Sequence, residues 1–297
     1  MKTFYFLKPY FQEKIWAGKN LQKHFQLAHL VGEAWLISAI ENRQSKLENG
    51  IPLDEFFYKN KDFFNNYPAS VYPTLHKIID AADHLSIQVH PNDEYAKKIG
   101  SLGKDECWYL LENNLHPFYI GLQLPTISDD QLFSDKVLDY LNKVALKKDD
   151  FVYIKAGMIH ALPKNSLVYE LQQNSDITYR IFDYNRLDDE NKPRSLHIEQ
   201  AKDVIDKQLQ PEVIQVQNGQ LISNNFFNLK VVDIQDQFVL TSDPTKVYWY
   251  EVIIIEGQGD LEGVAFQKYD ALIISAKVQK SYIFKGKTKI LINKITK

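Results

Sequence analysis

The chain has 297 residues, 44% hydrophobic and 25% charged, the balance of a globular protein with material for two domains of ordinary size. A net charge of −3 supplies no basic field, which argues against nucleic acid or an anionic membrane as partner. A single cysteine, Cys107, excludes an intrachain disulfide and a Cys-based zinc knuckle and fits a reducing, cytoplasmic setting.

No apolar run reaches the roughly eighteen residues of a membrane span, and the first residues hold no apolar run long enough for a signal peptide. Aromatics at 13% favour strands. Residues 1–40 read as short strands and turns, with Gly32 to Ala39 alternating. Leu53 to Phe64 is expected to be a short helix, and Pro73 to Asp80 leads on as strand or bend. Leu85, Ile87 and Val89 alternate with Ser86, Gln88 and His90, so both Gln88 and His90 lie on one strand face. Pro91, lacking an amide hydrogen, ends that strand. Asn92 or Asp93 caps a helix running to about Ile99, stopped by Gly100.

Gly103 to Leu111 is the next strand, entered through a glycine turn, and Tyr119–Leu122 another. Ser128 to Ala145 reads as the clearest helix: Ser128 caps it, and Leu132, Val137, Leu138, Leu141 and Val144 keep a near-helical period. Phe151–Ile154 and Met158–Leu162 are strands around Ala156-Gly157. Residues 166–186 run strand, turn, strand, and Ser195 caps a helix from Ile198 to Lys207. Beyond 210 the texture is almost pure alternation with Gly-marked turns. Residues 148–156 echo 268–276 at four of nine positions; at that offset of 120, Lys280 stands where His160 does. Short strands and glycine turns together fit small β-barrels. The expected division is 1–210 and an all-β unit at 211–297.

Glu106 opens an apolar strand and His160 ends another. With Gln88 and His90 they make a donor set suited to zinc or another divalent first-row metal with a position left open for substrate. Singly, each has a plain reading: Glu106 as a solvated turn residue, the histidines as satisfied core groups.

Four motifs in order now carry a resemblance: Gln88-Val89-His90-Pro91, Lys104-Asp105-Glu106, Gly157-Met158-Ile159-His160-Ala161 and Asn174-Ser175-Asp176-Ile177-Thr178-Tyr179-Arg180. Over roughly residues 5–200 the chain resembles the type I mannose-6-phosphate isomerase family in its short bacterial form. The resemblance implies a mainly β fold, a cupin-type β-barrel (jelly roll) with helical insertions, followed by a smaller cupin-like unit without metal. It implies one Zn2+ per chain on Gln88, His90, Glu106 and His160, with catalytic or phosphate-binding roles for Lys104 and Arg180. The chain departs from the family pattern at Asp149-Asp150 and Lys155-Ala156-Gly157 around the last ligand strand, and at Ile40-Glu41.

The reaction implied interconverts mannose 6-phosphate and fructose 6-phosphate through a cis-enediol. A metal and a neighbouring cation would stabilise the enediolate charge. Asp176, Glu170 or a hydroxide on the metal are the candidate bases, and Lys104 becomes one if its pKa is depressed. For the phosphate the motif regions offer Arg180, Arg186, Lys104 and Lys77, the last equally readable as a surface lysine. The partner expected is a small sugar phosphate, and the assembly a monomer or homodimer. Rival readings are a sugar-binding module without turnover, another metal-dependent barrel enzyme such as a dioxygenase or lyase, and a structural barrel. Trp16 reads as core. Cys107 reads as buried, facing away from Glu106. His24, His29, His84, His116 and His197 read as surface or packing residues.

Overall fold

Alternating runs become strands along most of the chain in a computed structural model that describes residues 2–187 and 191–297. The mainly β class stands. The helices are short: Asn20–Phe25, Leu53–Lys59, Asp93–Lys98, Asp129–Leu132 and Ile198–Val204. Asn92 caps Asp93–Lys98, its side chain accepting the Tyr95 N–H at 2.9 Å.

The helix expected over Ser128–Ala145 is corrected. Ser128 and Gln131 form a full capping box, yet the helix ends at Leu132. A 3-10 turn follows at Val137–Asp139, then the strand Leu141–Val144, which pairs with Phe118–Leu122. Leu132, Val137 and Leu141 all enter one buried cluster. Their spacing records burial, which a turn and a strand satisfy as well as a helix does. The helix at 198 starts from His197, which makes no side-chain cap bond, and stops at Val204. The helix at 53 ends at Lys59, and Asn20–Phe25 falls where only strands and turns were expected.

The chain divides into two compact units, but not at a single point after 210. One comprises the residues up to Tyr10, Trp35–Leu75 and Gln215–Lys297; the other comprises Phe11–Ala34 and His76–Ile214. The reason is strand pairing. Phe4–Lys8 lies antiparallel to Ala271–Ser275, Phe4 opposite Ile274 and Leu7 opposite Ala271. Within that first unit the long strands Val247–Leu261 and Ser281–Thr296 pair along their length. Val252, Ile254, Leu272, Ile274, Ile290 and Ile292, alternate residues of three strands, are its buried centre.

In the second unit, Tyr179–Phe182, Ile87–Val89, His160–Ala161, Phe118–Leu122 and Leu141–Val144 are neighbours in that order in a five-stranded sheet. Asp150–Ile154, Glu106–Leu110 and Ser166–Gln173 are neighbours in another. Trp16 and Trp108 belong to a buried cluster of this unit. Cys107 is buried as expected.

Candidate active site

Register places the site. In the five-stranded sheet Gln88 faces Arg180 on one side and His160 on the other. Residues directly opposite in antiparallel strands share a sheet face. One row therefore carries Arg180, Gln88 and His160. In the other sheet Gln172, Glu106 and Ile154 form a row, with Glu170, Trp108 and Val152 in the row two residues along. His90 follows the end of its strand, where Pro91 has stopped it. Its carbonyl accepts the Gly157 N–H at 2.9 Å, and the Pro91 carbonyl accepts the Lys104 N–H at 2.9 Å. Those two bonds bring three motifs together.

Two glycines permit the approach. Gly157 has φ +90°, and a Cβ there would stand 3.0 Å from the Val204 carbonyl oxygen. A Cβ on Gly103 would lie 2.5 Å from the Asp93 backbone nitrogen.

His90, Glu106 and His160 are all buried, with one potential ligand atom of each within 4.8 Å of the others. His90 Nε2 is 3.4 Å from Glu106 Oε2, and His160 Nε2 is 3.3 Å from Glu106 Oε1. On their far sides the rings are fixed: His90 Nδ1 donates to the Ile177 carbonyl at 2.7 Å and His160 Nδ1 to the Met158 carbonyl at 2.8 Å. The Nε2 lone pairs are thereby aimed at the carboxylate, the arrangement in which backbone partners orient ligating imidazoles.

Charge states agree. Burial, reinforced by the Lys104 ammonium, pulls His90 down to about 3. Burial also lowers His160. Burial alone would raise Glu106, but the neighbouring groups, the Lys104 ammonium foremost, outweigh it and hold the carboxyl well below its ordinary range. Two neutral imidazoles thus face one carboxylate, acceptor against acceptor. Among the described residues neither Glu106 oxygen receives a hydrogen bond of regular geometry; Lys104 Nζ stands 2.8 Å from Oε2 as an ion pair. Lys104 thus offsets the charge at Oε2, while Oε1 has only the His160 lone pair beside it, an arrangement that a further cation would satisfy. The donor set, ionised carboxylate and neutral imidazoles, is the state a divalent metal requires.

Gln88 Nε2 is 3.3 Å from His160 Nε2, and Ser86 Oγ donates to Gln88 Oε1 at 3.3 Å. Lys104 is buried and its Nζ also lies 3.1 Å from His90 Nε2. Burial works to lower its pKa, but Glu106, Glu170 and Glu33 prevail and raise it, so Lys104 is a cation here.

Arg180 donates through its terminal nitrogen to the Ser195 carbonyl at 2.7 Å, while its buried Nε has no hydrogen-bond partner. Asp176 is not brought into the group. It is exposed on the loop before Tyr179, next to Ile177 whose carbonyl holds the His90 ring. Glu170 is engaged at both oxygens, by Lys77 at 3.2 Å and by the Trp108 indole N–H at 3.1 Å. Lys77 is therefore a buried residue, not a surface one. Arg186 is committed to Asp183 and to the His84 carbonyl.

Three contributors escaped the sequence reading: Trp108, whose ring meets His160 edge-on at 5.5 Å, Ser86 and His197. Trp108 had a signal in its spacing of two from Glu106.

Residues 5–122 match the family "Phosphomannose isomerase type I, catalytic domain". The mannose-6-phosphate isomerase of Streptococcus mutans is 35% identical over 96% of this chain and 96% of its own length. The crystal structure of the mannose 6-phosphate isomerase from Bacillus subtilis superposes with a TM-score of 0.89 at 29% identity, covering 98% of this chain and 99% of that one. A mannose 6-phosphate isomerase bound with zinc and yttrium shares the fold at TM-score 0.76 and 15% identity, over 99% of this chain and 100% of that one. Near-full coverage at that identity, on a chain whose four motifs converge, makes this protein a member of the type I phosphomannose isomerase family.

Proposed function

We propose that the chain is a zinc-dependent aldose–ketose isomerase that interconverts mannose 6-phosphate and fructose 6-phosphate through a cis-enediol. One observation carries the reading: the Nε2 atoms of two neutral imidazoles converge on the two oxygens of one buried carboxylate, with Lys104 as the cation beside Oε2. His90, Glu106 and His160 hold the metal in this assignment. Gln88 completes the set if its amide turns over, so that Oε1 takes the place of Nε2; Ser86 Oγ then accepts instead of donating. Nitrogen and oxygen ligands suit zinc; one protein of the same fold, a mannose 6-phosphate isomerase, is bound with zinc and yttrium. Zinc, when bound, supplies Lewis acidity that polarises the carbonyl and the adjacent hydroxyl of the sugar.

The chain's own groups supply the rest. Lys104, cationic and buried, stabilises negative charge developing on the substrate oxygens. Arg180 is the cation without a carboxylate partner in hand, since Lys77, Lys104 and Arg186 are each bound to one; its guanidinium is the group we assign to the anionic substrate. A proton must leave C2 and return at C1 while the hydroxyl proton of O2 passes to O1. Asp176, on the loop whose Ile177 carbonyl holds the His90 ring, is the carrier we propose although it is exposed, and an Asp176→Asn variant tests it: a rate near the parent's removes the assignment. Catalysis belongs to the second unit, and the first supplies no metal ligand.

The test is a coupled assay with mannose 6-phosphate on the purified protein, before chelation, after chelation, and after zinc is returned. Activity should be lost and then restored. Absence of turnover in all three states ends the reading.

A further inference from the structure

Arg180 sits on Tyr179–Phe182, the outermost strand of the five-stranded sheet. One edge of that strand pairs with Ile87–Val89. At Arg180 the backbone groups turn the other way, toward the free edge. Its N–H donates to His197 Nδ1 at 3.1 Å, and its carbonyl accepts the His197 N–H at 2.7 Å. Arg180 and Gln88 are therefore a non-hydrogen-bonded pair, the closer of the two antiparallel spacings. His197 completes the edge as another strand would, with a ring nitrogen standing in for a carbonyl.

Burial and the Arg180 charge both lower the His197 pKa, so the ring is neutral and Nδ1 keeps its lone pair. Two residues back, the Ser195 carbonyl takes the Arg180 guanidinium at 2.7 Å. The register slips just beyond, between Arg180 and Phe182, so Arg180 is the last residue before a bulge and has most need of a fixed backbone.

We infer that His197 is a positioning residue for Arg180: it pins the edge strand at the position that carries the guanidinium, and Ser195 sets the guanidinium's direction. This rests on the reading of Arg180 as a substrate-binding cation. His197 touches neither substrate nor metal; it acts only through Arg180. The atom that matters is Nδ1, close to the backbone, which an asparagine oxygen can replace and a glutamine oxygen, one methylene farther out, cannot.

The experiment uses the zinc-loaded full chain and three variants, His197→Ala, His197→Asn and His197→Gln. Read-outs are kcat/KM for mannose 6-phosphate, zinc per chain and Tm. Alanine and glutamine should lower kcat/KM by about 10- to 100-fold, the cost of misplacing a catalytic group by about 1 Å, with zinc retained. Asparagine should recover most of the loss. In an Arg180→Ala background the alanine change should cost less than about twofold, because coupled residues are not additive. Parent-like rates for alanine, equal rates for asparagine and glutamine, or an undiminished penalty in the Arg180→Ala background would each overturn the inference. A parent enzyme without turnover would instead remove the isomerase reading itself.

Discussion

Two fully buried glutamates, one in each unit, meet opposite treatment. Glu251 of the first unit accepts from Tyr72 at 2.6 Å, Thr74 at 2.7 Å and the Trp249 indole at 3.2 Å on one oxygen, and from Asn293 at 2.8 Å on the other. Glu106 of the second unit faces two imidazole lone pairs and one ammonium. The same residue type at the same depth is satisfied by neutral donors in one unit and set against two imidazole acceptors and one ammonium in the other. A satisfied buried carboxylate holds a core together, whereas one held in the second way suits a further cation.

The contrast is sharper because the units share a device. Asp149 and Tyr269, 120 residues apart, have φ 70° and 68°. Asp150 accepts the Lys147 N–H at 2.9 Å, and Asp270 the Gln267 N–H at 2.8 Å. Each turn feeds a strand that pairs antiparallel with an earlier strand of its unit, and the residue facing Ile154 is Glu106 where the residue facing Ile274 is Tyr250. The faint sequence echo is a real structural repeat. At its offset His160 is matched by Lys280, which pairs with Glu262 at 3.1 Å. The turn occurs in both units and the proposed ligand in one.

The largest effect should come from exchanging each glutamate for its amide. Glu106→Gln removes a charged ligand, so zinc should be lost and kcat/KM should fall by more than about 100-fold. Glu251→Gln should keep zinc and rate while costing about 1–3 kcal/mol of stability through a mismatched buried hydrogen bond. Metal analysis and denaturant unfolding of the two variants decide it; equal behaviour would erase the distinction between the glutamates.

Acid should separate the units next. In the fold His90 titrates at about 3, against about 6.5 unfolded. Between those values the unfolded chain binds the proton and the folded one does not. Stability is thus fully present above about 6.5 and is lost as pH falls toward 3. The loss in the metal-stripped protein is on the order of 4–5 kcal/mol at pH 3, and Glu106, also lowered, adds to it in the same direction. Hydrogen exchange on metal-free protein at pH 7.5, 6 and 5 should show protection falling first in 76–214. Loss beginning in 215–297 contradicts the assignment.

Arg180→Ala should leave zinc in place and lower kcat/KM by about 10²–10³-fold. A substitution that removes zinc as well would make Arg180 part of the metal's support and not a substrate group.

Much of the site was legible, and the reason is local. Gln88 and His90 declare themselves by alternation and Pro91, and Glu106 and His160 lie beside glycines that only a close approach requires. Arg180 was legible from its motif, but its partner was not: His197 acts by finishing a sheet edge, which no spacing records. Lys77 was ambiguous because the group that buries it, Glu170, is 93 residues away. The Ser128–Ala145 pattern misled because Val137, Leu138, Leu141 and Val144 suit a helix, yet the first two lie in a 3-10 turn and the last two in a strand fixed by Phe118–Leu122. The division between units was hidden for a similar reason, since the first strand of the chain completes a sheet made from its last third.

The smallest prediction tests the repeat itself. Asp150→Asn and Asp270→Asn each weaken one charge-assisted bond to a backbone N–H three residues back. Asparagine can still accept, so each should cost only about 0.5–1.5 kcal/mol. The two losses should be alike, because the turns are alike in φ and in partner. They should also add in the double variant, since the sites share no partner. Neither should change zinc content: Asp150 lies at the far end of its strand from Ile154, the residue that faces Glu106. Denaturant midpoints for the two single variants and the double variant measure all of this. A loss at one aspartate several times that at the other would mean that the repeat survives in shape only, with its stabilising work moved elsewhere in one unit.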